Sequence, residues 1–148
     1  MAERSVAAHQ LEARRASGAR RPSLVLAGYD RSDGSCNALA YAAGLAARVG
    51  ARLVVLNVNE SLALDCATEV RACVADIADE VQPALAGCGG YEVTVDVGDP
   101  ATVIQRVASE LHADVIVVGQ SRHRWVHPFG SVPGRLAHHA EQPVVIVP

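Results

Sequence analysis

The amino-acid sequence predicts an α/β domain in which helices cover both faces of a five-stranded parallel sheet. Two observations lead to this prediction: short runs of apolar, mostly β-branched residues recur along the chain, and amphipathic helical stripes separate them. Continuous apolar runs of this length are typical of parallel strands buried on both faces. Short, right-handed connections between such elements give a doubly wound three-layer α/β/α sandwich.

Four of the five expected strands are continuous apolar runs. The fifth, residues 91–97, alternates apolar residues with Glu92, Thr94 and Asp96. Such alternation indicates a strand with one less buried face, which fits the edge of a sheet. The four continuous runs are residues 24–27, 53–56, 115–118 and 144–147.

Helices are expected between the strands, over residues 35–49, 65–85, 100–112 and 131–139. The second has the clearest 3.6-residue stripe, and Pro100 and Pro133 suit the first turns of the last two. The first is rich in small residues, so it can lie close to the sheet. Its expected inward positions are Cys36, Leu39, Ala40, Ala43, Ala46 and Ala47.

Composition argues against several classes of function. The chain has 148 residues and a net charge of −3, and all 13 of its basic residues are Arg. The absence of Lys excludes a Walker A loop and Schiff-base catalysis, and it disfavours a phosphorylatable receiver domain. We find no Ser-His-Asp set, carboxylate pair or Gly-x-Ser-x-Gly elbow, so no enzyme is expected. The small net charge gives no reason to expect nucleic acid or an anionic membrane as a partner.

Residues 1–21 contain five Arg and few large apolar residues. We expect a disordered basic tail there and a folded domain over residues 22–148; contact of the tail with RNA or membrane is the alternative to a passive role. Neither a secretory signal nor a membrane span is evident. The four cysteines form no Cys-x-x-Cys pair and are interpreted as buried small hydrophobes. A cytoplasmic location is therefore expected.

Ligands of doubly wound sheets bind outside the carboxyl ends of the strands. Asp30 follows the first strand, where it could contact a base or ribose or could cap the loop. The capping role is open also to Ser32, Asp33 and Ser35. Gly130 and Ser131 open the last helix, where an anion is favoured, although the same pair is also ordinary capping. The strand ends in question are Gly28-Tyr29-Asp30, Val58-Asn59, Gly98-Asp99 and Gly119-Gln120-Ser121.

The loop after the fourth expected strand, residues 115–118, carries further polar and aromatic residues. His123 and His127 are four residues apart, but Pro128 and the lack of a carboxylate or thiolate partner argue against a metal site. Trp125 either stacks on a base or covers the loop. No metal is expected.

Several segments of the chain, taken in their order and spacing, match the pattern of a known family. The segments are Asp30-Arg31-Ser32, Ala38-Leu39-Ala40-Tyr41-Ala42, Val97-Gly98-Asp99-Pro100, residues 113–119, Gly130-Ser131-Val132, residues 136–140 and residues 143–147. Together they make residues 22–148 resemble a universal stress protein domain. The resemblance implies a Rossmann-like fold with strand order 3-2-1-4-5 and four helices, and a regulatory role in the stress response with an adenine nucleotide, ATP, as ligand.

The ATP-binding branch of that family carries Gly, two residues, Gly, nine residues, then Gly-Ser or Gly-Thr. By resemblance, Asp30 and Val58 would hold adenosine, and Gly119, Gly130, Ser131 and Val132 match the phosphate end. Tyr29, Ser121 and Arg122 are expected to contact the nucleotide beside them.

This chain departs from the pattern at three points. Arg122 replaces the second Gly, only seven residues separate it from Gly130, and Pro133 stands where the family often has a hydroxyl. Arg122 and Arg124 could pair with phosphates themselves. The alternative is a dimerisation or scaffold member that binds no nucleotide.

The last strand, residues 144–147, is an edge in the strand order that the resemblance implies. An apolar edge invites pairing with another chain, and pairing of two copies about a two-fold axis is self-limiting. We therefore expect an antiparallel homodimer through this strand, as in many universal stress proteins. The alternative is that the N-terminal tail or the loop at residues 122–129 covers the edge.

Overall fold

Strands and helices alternate strictly in the computed structural model, which describes residues 23–60, 67–120 and 130–148. The disordered tail predicted for residues 1–21 lies outside this part of the chain. Within it, no helix has the length and apolar character needed to cross a bilayer. The elements are β1 (Leu24–Gly28), α1 (Asp33–Val49), β2 (Arg52–Asn59), α2 (Ala67–Leu85), β3 (Tyr91–Val97), α3 (Pro100–Leu111), β4 (Val115–Gly119), α4 (Val132–His139) and β5 (Val144–Val147).

The five strands form one sheet in the order β3-β2-β1-β4-β5, and every neighbouring pair is parallel. The predicted parallel sheet and its strand order are thereby confirmed, and β3 lies at an edge, as its alternating sequence indicated. β1 is central: Ala27 lies opposite Val55 of β2 on one side and Val117 of β4 on the other. The chain therefore changes direction across the sheet between β1 and β4, which makes this the topological switch point.

The core has two layers, one on each face of the sheet. Val25 and Ala27 face α1 and α2, whereas Leu24 and Leu26 pack on the side of α3 and α4. Because successive side chains of a strand point to opposite faces, β1 has no solvent-facing side. Full burial of each of its leucines stabilises the fold by roughly 1.5–3 kcal/mol.

The buried face of α1 differs from the predicted stripe. Cys36, Ala40 and Ala47 are exposed, whereas Ala38 and Ala42 are buried. The prediction was wrong because alanines on opposite sides of a helix have the same hydropathy, so the sequence offered little contrast with which to orient it. The interpretation of the cysteines as buried is also wrong for Cys36; Cys73 and Cys88 are half-buried, and Cys66 lies outside the described residues.

Three helices begin at side-chain caps. Ser32 and Ser131 accept hydrogen bonds from Ser35 N and Gly134 N, both at 3.2 Å, and Asp99 accepts one from Thr102 N at 3.0 Å. These caps satisfy N–H groups that have no partner inside the helix. Consequently α1 begins two residues earlier than predicted, and Ser131 precedes α4 as its cap.

The N-terminus of α1 lies directly against the end of β4. A Cβ atom on Gly119 would come within 2.3 Å of the carbonyl carbon of Gly34 and 2.6 Å of Ser35 N. A Cβ on Gly34 would in turn lie 2.8 Å from the Gln120 carbonyl oxygen. Both positions therefore require glycine, since backbone occupies the space of a side chain.

Replacing Gly119 with Ala should destabilise the fold by about 1–3 kcal/mol, because overpacking displaces the backbone of α1. Chemical denaturation measures the effect. Gly87→Ala is the control, since a Cβ there meets nothing within 4 Å, and it should change stability by less than about 0.5 kcal/mol. Equal stabilities of the two variants would contradict this account of the contact.

Candidate functional site

A cleft of about 940 Å³ opens at the carboxyl ends of β1, β2 and β4 and is bounded on one side by the start of α4. Gly130 directly precedes Ser131, which lines the cleft. Ser121 and Arg122 lie outside the described residues. The predicted site residues are thus largely brought together at the switch point. Those that line the cleft are Tyr29, Asp30, Val58, Gly119, Ser131 and Val132.

Asp30 lies at the mouth of the cleft and organises the loop after β1. Its Oδ1 accepts hydrogen bonds from the backbone N–H (3.0 Å) and the hydroxyl of Ser32, and its own N–H donates to Ser35 Oγ at 3.2 Å. Burial disfavours the charged carboxyl, but the hydrogen bonds from Ser32 and Ser35 outweigh it and lower the pKa of Asp30. Asp30 therefore presents a fixed negative charge.

Asn57, which the sequence analysis did not single out, fixes the neighbouring backbone. It is buried in β2, and its Nδ2 donates to the Tyr29 carbonyl oxygen at 2.8 Å, while Tyr29 N donates to Leu56 O at 2.9 Å. These bonds hold the end of β1 against β2 and so position Asp30. The available signal was an amide directly after the apolar run of residues 53–56, since buried polar groups need partners.

A second network links the loop after β1 to α2. Arg31 Nε donates to both carboxylate oxygens of Glu80, at 3.0 and 2.9 Å, and the Tyr29 hydroxyl donates to Glu80 Oε2 at 3.4 Å. Arg31 has a φ of 68°, in the left-handed region that non-glycine residues adopt only when their surroundings hold them there. The link to Glu80 provides part of that restraint.

The opposite side of the cleft is braced by a bridge between α3 and α4. Arg135 Nη1 and Nη2 donate to the two carboxylate oxygens of Asp99 at 2.7 and 2.8 Å, and Thr102 Oγ1 donates to Asp99 Oδ2 at 2.6 Å. The guanidinium first and Thr102 second hold the pKa of Asp99 well below its usual range. Pro100 and Pro133, close to the two ends of this bridge in sequence, line the cleft.

The start of α4 uses much of its own hydrogen-bonding capacity. Gly134 N donates to Ser131 Oγ at 3.2 Å and Arg135 N to Ser131 O at 3.0 Å. Pro133 has no N–H to offer. The predicted phosphate end is therefore an intact helix cap.

Metal binding has no donor set in the part of the chain that the structure describes. Across residues 23–60, 67–120 and 130–148, no three His, Cys, Asp or Glu side chains come together. His123, His127 and Trp125 lie outside these ranges.

Tyr29 gives the site a titration that can be measured. Burial, followed by electrostatic repulsion from Cys36 and Glu80, raises the pKa of Tyr29 from its ordinary 10.0 to about 12. As pH rises, the unfolded chain loses this phenol proton first, so folding stability should fall between pH 10 and pH 12.

Denaturation of the wild type and Tyr29→Phe across this pH range checks the expectation. The variant should lack that part of the decline, because phenylalanine has no proton to lose. Identical pH dependence in the two proteins would show that Tyr29 ionises as freely in the folded state as in the unfolded chain.

Comparison with known proteins supplies the family. The universal stress protein family model matches residues 23–148. No curated protein sequence matches the chain.

Solved structures show the same fold. A universal stress protein in complex with cAMP is 26% identical, with a TM-score of 0.70 over 85% of this chain and 97% of that one. A universal stress protein family member from Burkholderia pseudomallei is 30% identical, with a TM-score of 0.60 over 85% and 96% of the two chains. The Archaeoglobus fulgidus universal stress protein in complex with dAMP, 22% identical, has a TM-score of 0.65 over 86% and 98%. Because the family model matches residues 23–148, this chain belongs to the universal stress protein family.

Proposed function

We propose that this chain is a cytoplasmic, non-enzymatic regulatory domain of the stress response that binds an adenine nucleotide in the cleft between β1 and β4. One observation carries the proposal: the cleft lies at the switch point of the sheet, with a fixed carboxylate, Asp30, at its mouth. The 26% identical relative, with the same fold, is in complex with cAMP. ATP is the ligand that the resemblance implied.

The proposed orientation follows from what each end of the cleft offers. Asp30 and the end of β2 at Val58 suit the ribose and base, since a carboxylate accepts hydrogen bonds from hydroxyl groups. Ser131 and Val132, at the start of α4, suit the phosphates because a helix N-terminus favours an anion.

A scaffold role without nucleotide is the second candidate, and two contacts favour it. The carboxylate of Asp30 is already engaged by Ser32. The glycine at position 119 is required by the contact with Gly34. Both residues thus have structural roles that need no ligand.

Nucleotide titration separates the two candidates. Isothermal calorimetry should give micromolar binding of ATP to the wild type, and Asp30→Ala should weaken it by about 1–3 kcal/mol, the cost of a lost hydrogen bond to a charged group. Asp30→Asn keeps an acceptor for Ser32 and tests the charge separately. Asp76→Ala, which removes an exposed carboxylate on α2, should bind as the wild type does. The absence of both binding heat and a thermal shift at millimolar ATP would favour the scaffold role.

We also propose that the domain acts as a homodimer paired through β5. β5 is an edge strand of the sheet, and Ile146 on it is 41% exposed. Val145 and Val147 pack against the core beside α1. The strand is therefore held firmly enough to pair with β5 of a second copy. Antiparallel pairing of two such edges satisfies their open N–H and C=O groups.

Ile146→Arg should shift the protein from dimer to monomer, because the substitution brings two cations together across the two-fold axis. Sedimentation velocity at tens of micromolar measures this shift. Val49→Arg, at a 54% exposed site on α1, is the matched control and should remain dimeric. A wild type that sediments as a monomer would rule out this dimer.

A further inference from the structure

Arg135 lies one helical turn after Ser131, which lines the proposed phosphate end of the cleft. It belongs to the first turns of α4, and its Cγ is 4.0 Å from the position that a Cβ on Gly130 would occupy. Side chains of a helix lean toward its N-terminus, and the guanidinium reaches Asp99, which directly precedes the cleft-lining Pro100. A cation at this end opposes the helix dipole, and a partner anion is therefore favoured beside it.

Asp99 supplies that anion from within the protein. Its two carboxylate oxygens accept hydrogen bonds from both terminal nitrogens of Arg135, at 2.7 and 2.8 Å. This is the bidentate geometry by which Arg also binds phosphate. The pair is partly open to solvent, with the Arg135 side chain 28% and the Asp99 side chain 47% exposed, so a phosphate could reach the guanidinium if Asp99 did not hold it.

We infer that the Asp99–Arg135 bridge determines the phosphate specificity of the cleft: Asp99 occupies the guanidinium that a ligand phosphate would otherwise bind. This inference rests on the proposed nucleotide site. The phosphates of a bound nucleotide then contribute little affinity, and the site discriminates weakly between adenosine and ATP. Asp99 is a specificity-determining residue, because it keeps the Arg135 guanidinium from binding the phosphates of the ligand.

Asp99→Asn tests the inference with little disturbance of the fold. Asparagine caps helices as well as aspartate does, so α3 keeps its hydrogen bond from Thr102 N while Arg135 loses its ion pair. Calorimetry should show ATP affinity raised about tenfold and adenosine affinity within about twofold of the wild type, in keeping with a released charge-assisted bond. The gain should shrink in high salt.

Two further variants sharpen the measurement. The double variant Asp99→Asn/Arg135→Gln should lose the ATP gain, because the gain requires the guanidinium. Glu92→Gln is the charge-matched control: it removes the carboxylate that pairs with Arg52 at 3.0 Å, at the opposite end of the sheet from the cleft, and should leave ATP affinity unchanged. Circular dichroism and thermal melts confirm that each variant is folded.

Inorganic tripolyphosphate, titrated in parallel, separates this inference from the proposed function. Asp99→Asn should bind it more tightly than the wild type, and the double variant should not, whether or not the cleft accepts adenosine. A wild type that binds neither adenosine nor ATP overturns the nucleotide site. An unchanged ATP-to-adenosine affinity ratio and unchanged tripolyphosphate affinity in Asp99→Asn overturn the role of Asp99.

Discussion

The approach of two backbones at Gly34 and Gly119 is the constraint on which the site depends. α1 begins directly after the loop that follows β1, and its first turn lies so close to the end of β4 that neither position has room for a Cβ. The loop carrying Asp30 and the end of β4 therefore share one rim of the sheet, and the cleft forms where they meet. Without this contact, the switch point would still exist in the topology but would not bring these groups together.

The sheet was predictable because its strands are buried on both faces. β1 and β4 consist almost entirely of apolar residues, and such runs are hard to place anywhere but in the middle of a covered sheet. The order of the strands came from the family resemblance, since an apolar run does not specify its neighbour. The face of α1 was not predictable, because a helix of alanines packs by size and spacing, and hydropathy does not record these.

The sequence predicted which strand ends form the candidate site, but it did not predict the hydrogen-bond partners of the side chains there. Asp30 follows β1, Val58 lies near the end of β2 and Ser131 precedes α4. Parallel topology brings such positions to one edge. The groups that hold them were missed because their partners are distant in sequence. Asn57 acts on a residue 28 positions away and Arg135 on one 36 away, so no local spacing signalled either bond.

The central place of β1 also bears on how the chain folds as it is synthesised. β1 can pair with β2 early, but its other edge waits for β4, and the bond between Leu24 N and Asp114 Oδ2 closes a separation of 90 residues. Contacts of such long range slow folding. When only the part of the chain up to residue 97 has emerged from the ribosome, the unpaired apolar edge of β1 is exposed. Such an edge is prone to aggregation. Chaperone contact with the nascent chain is thus most useful in the interval before β4 emerges.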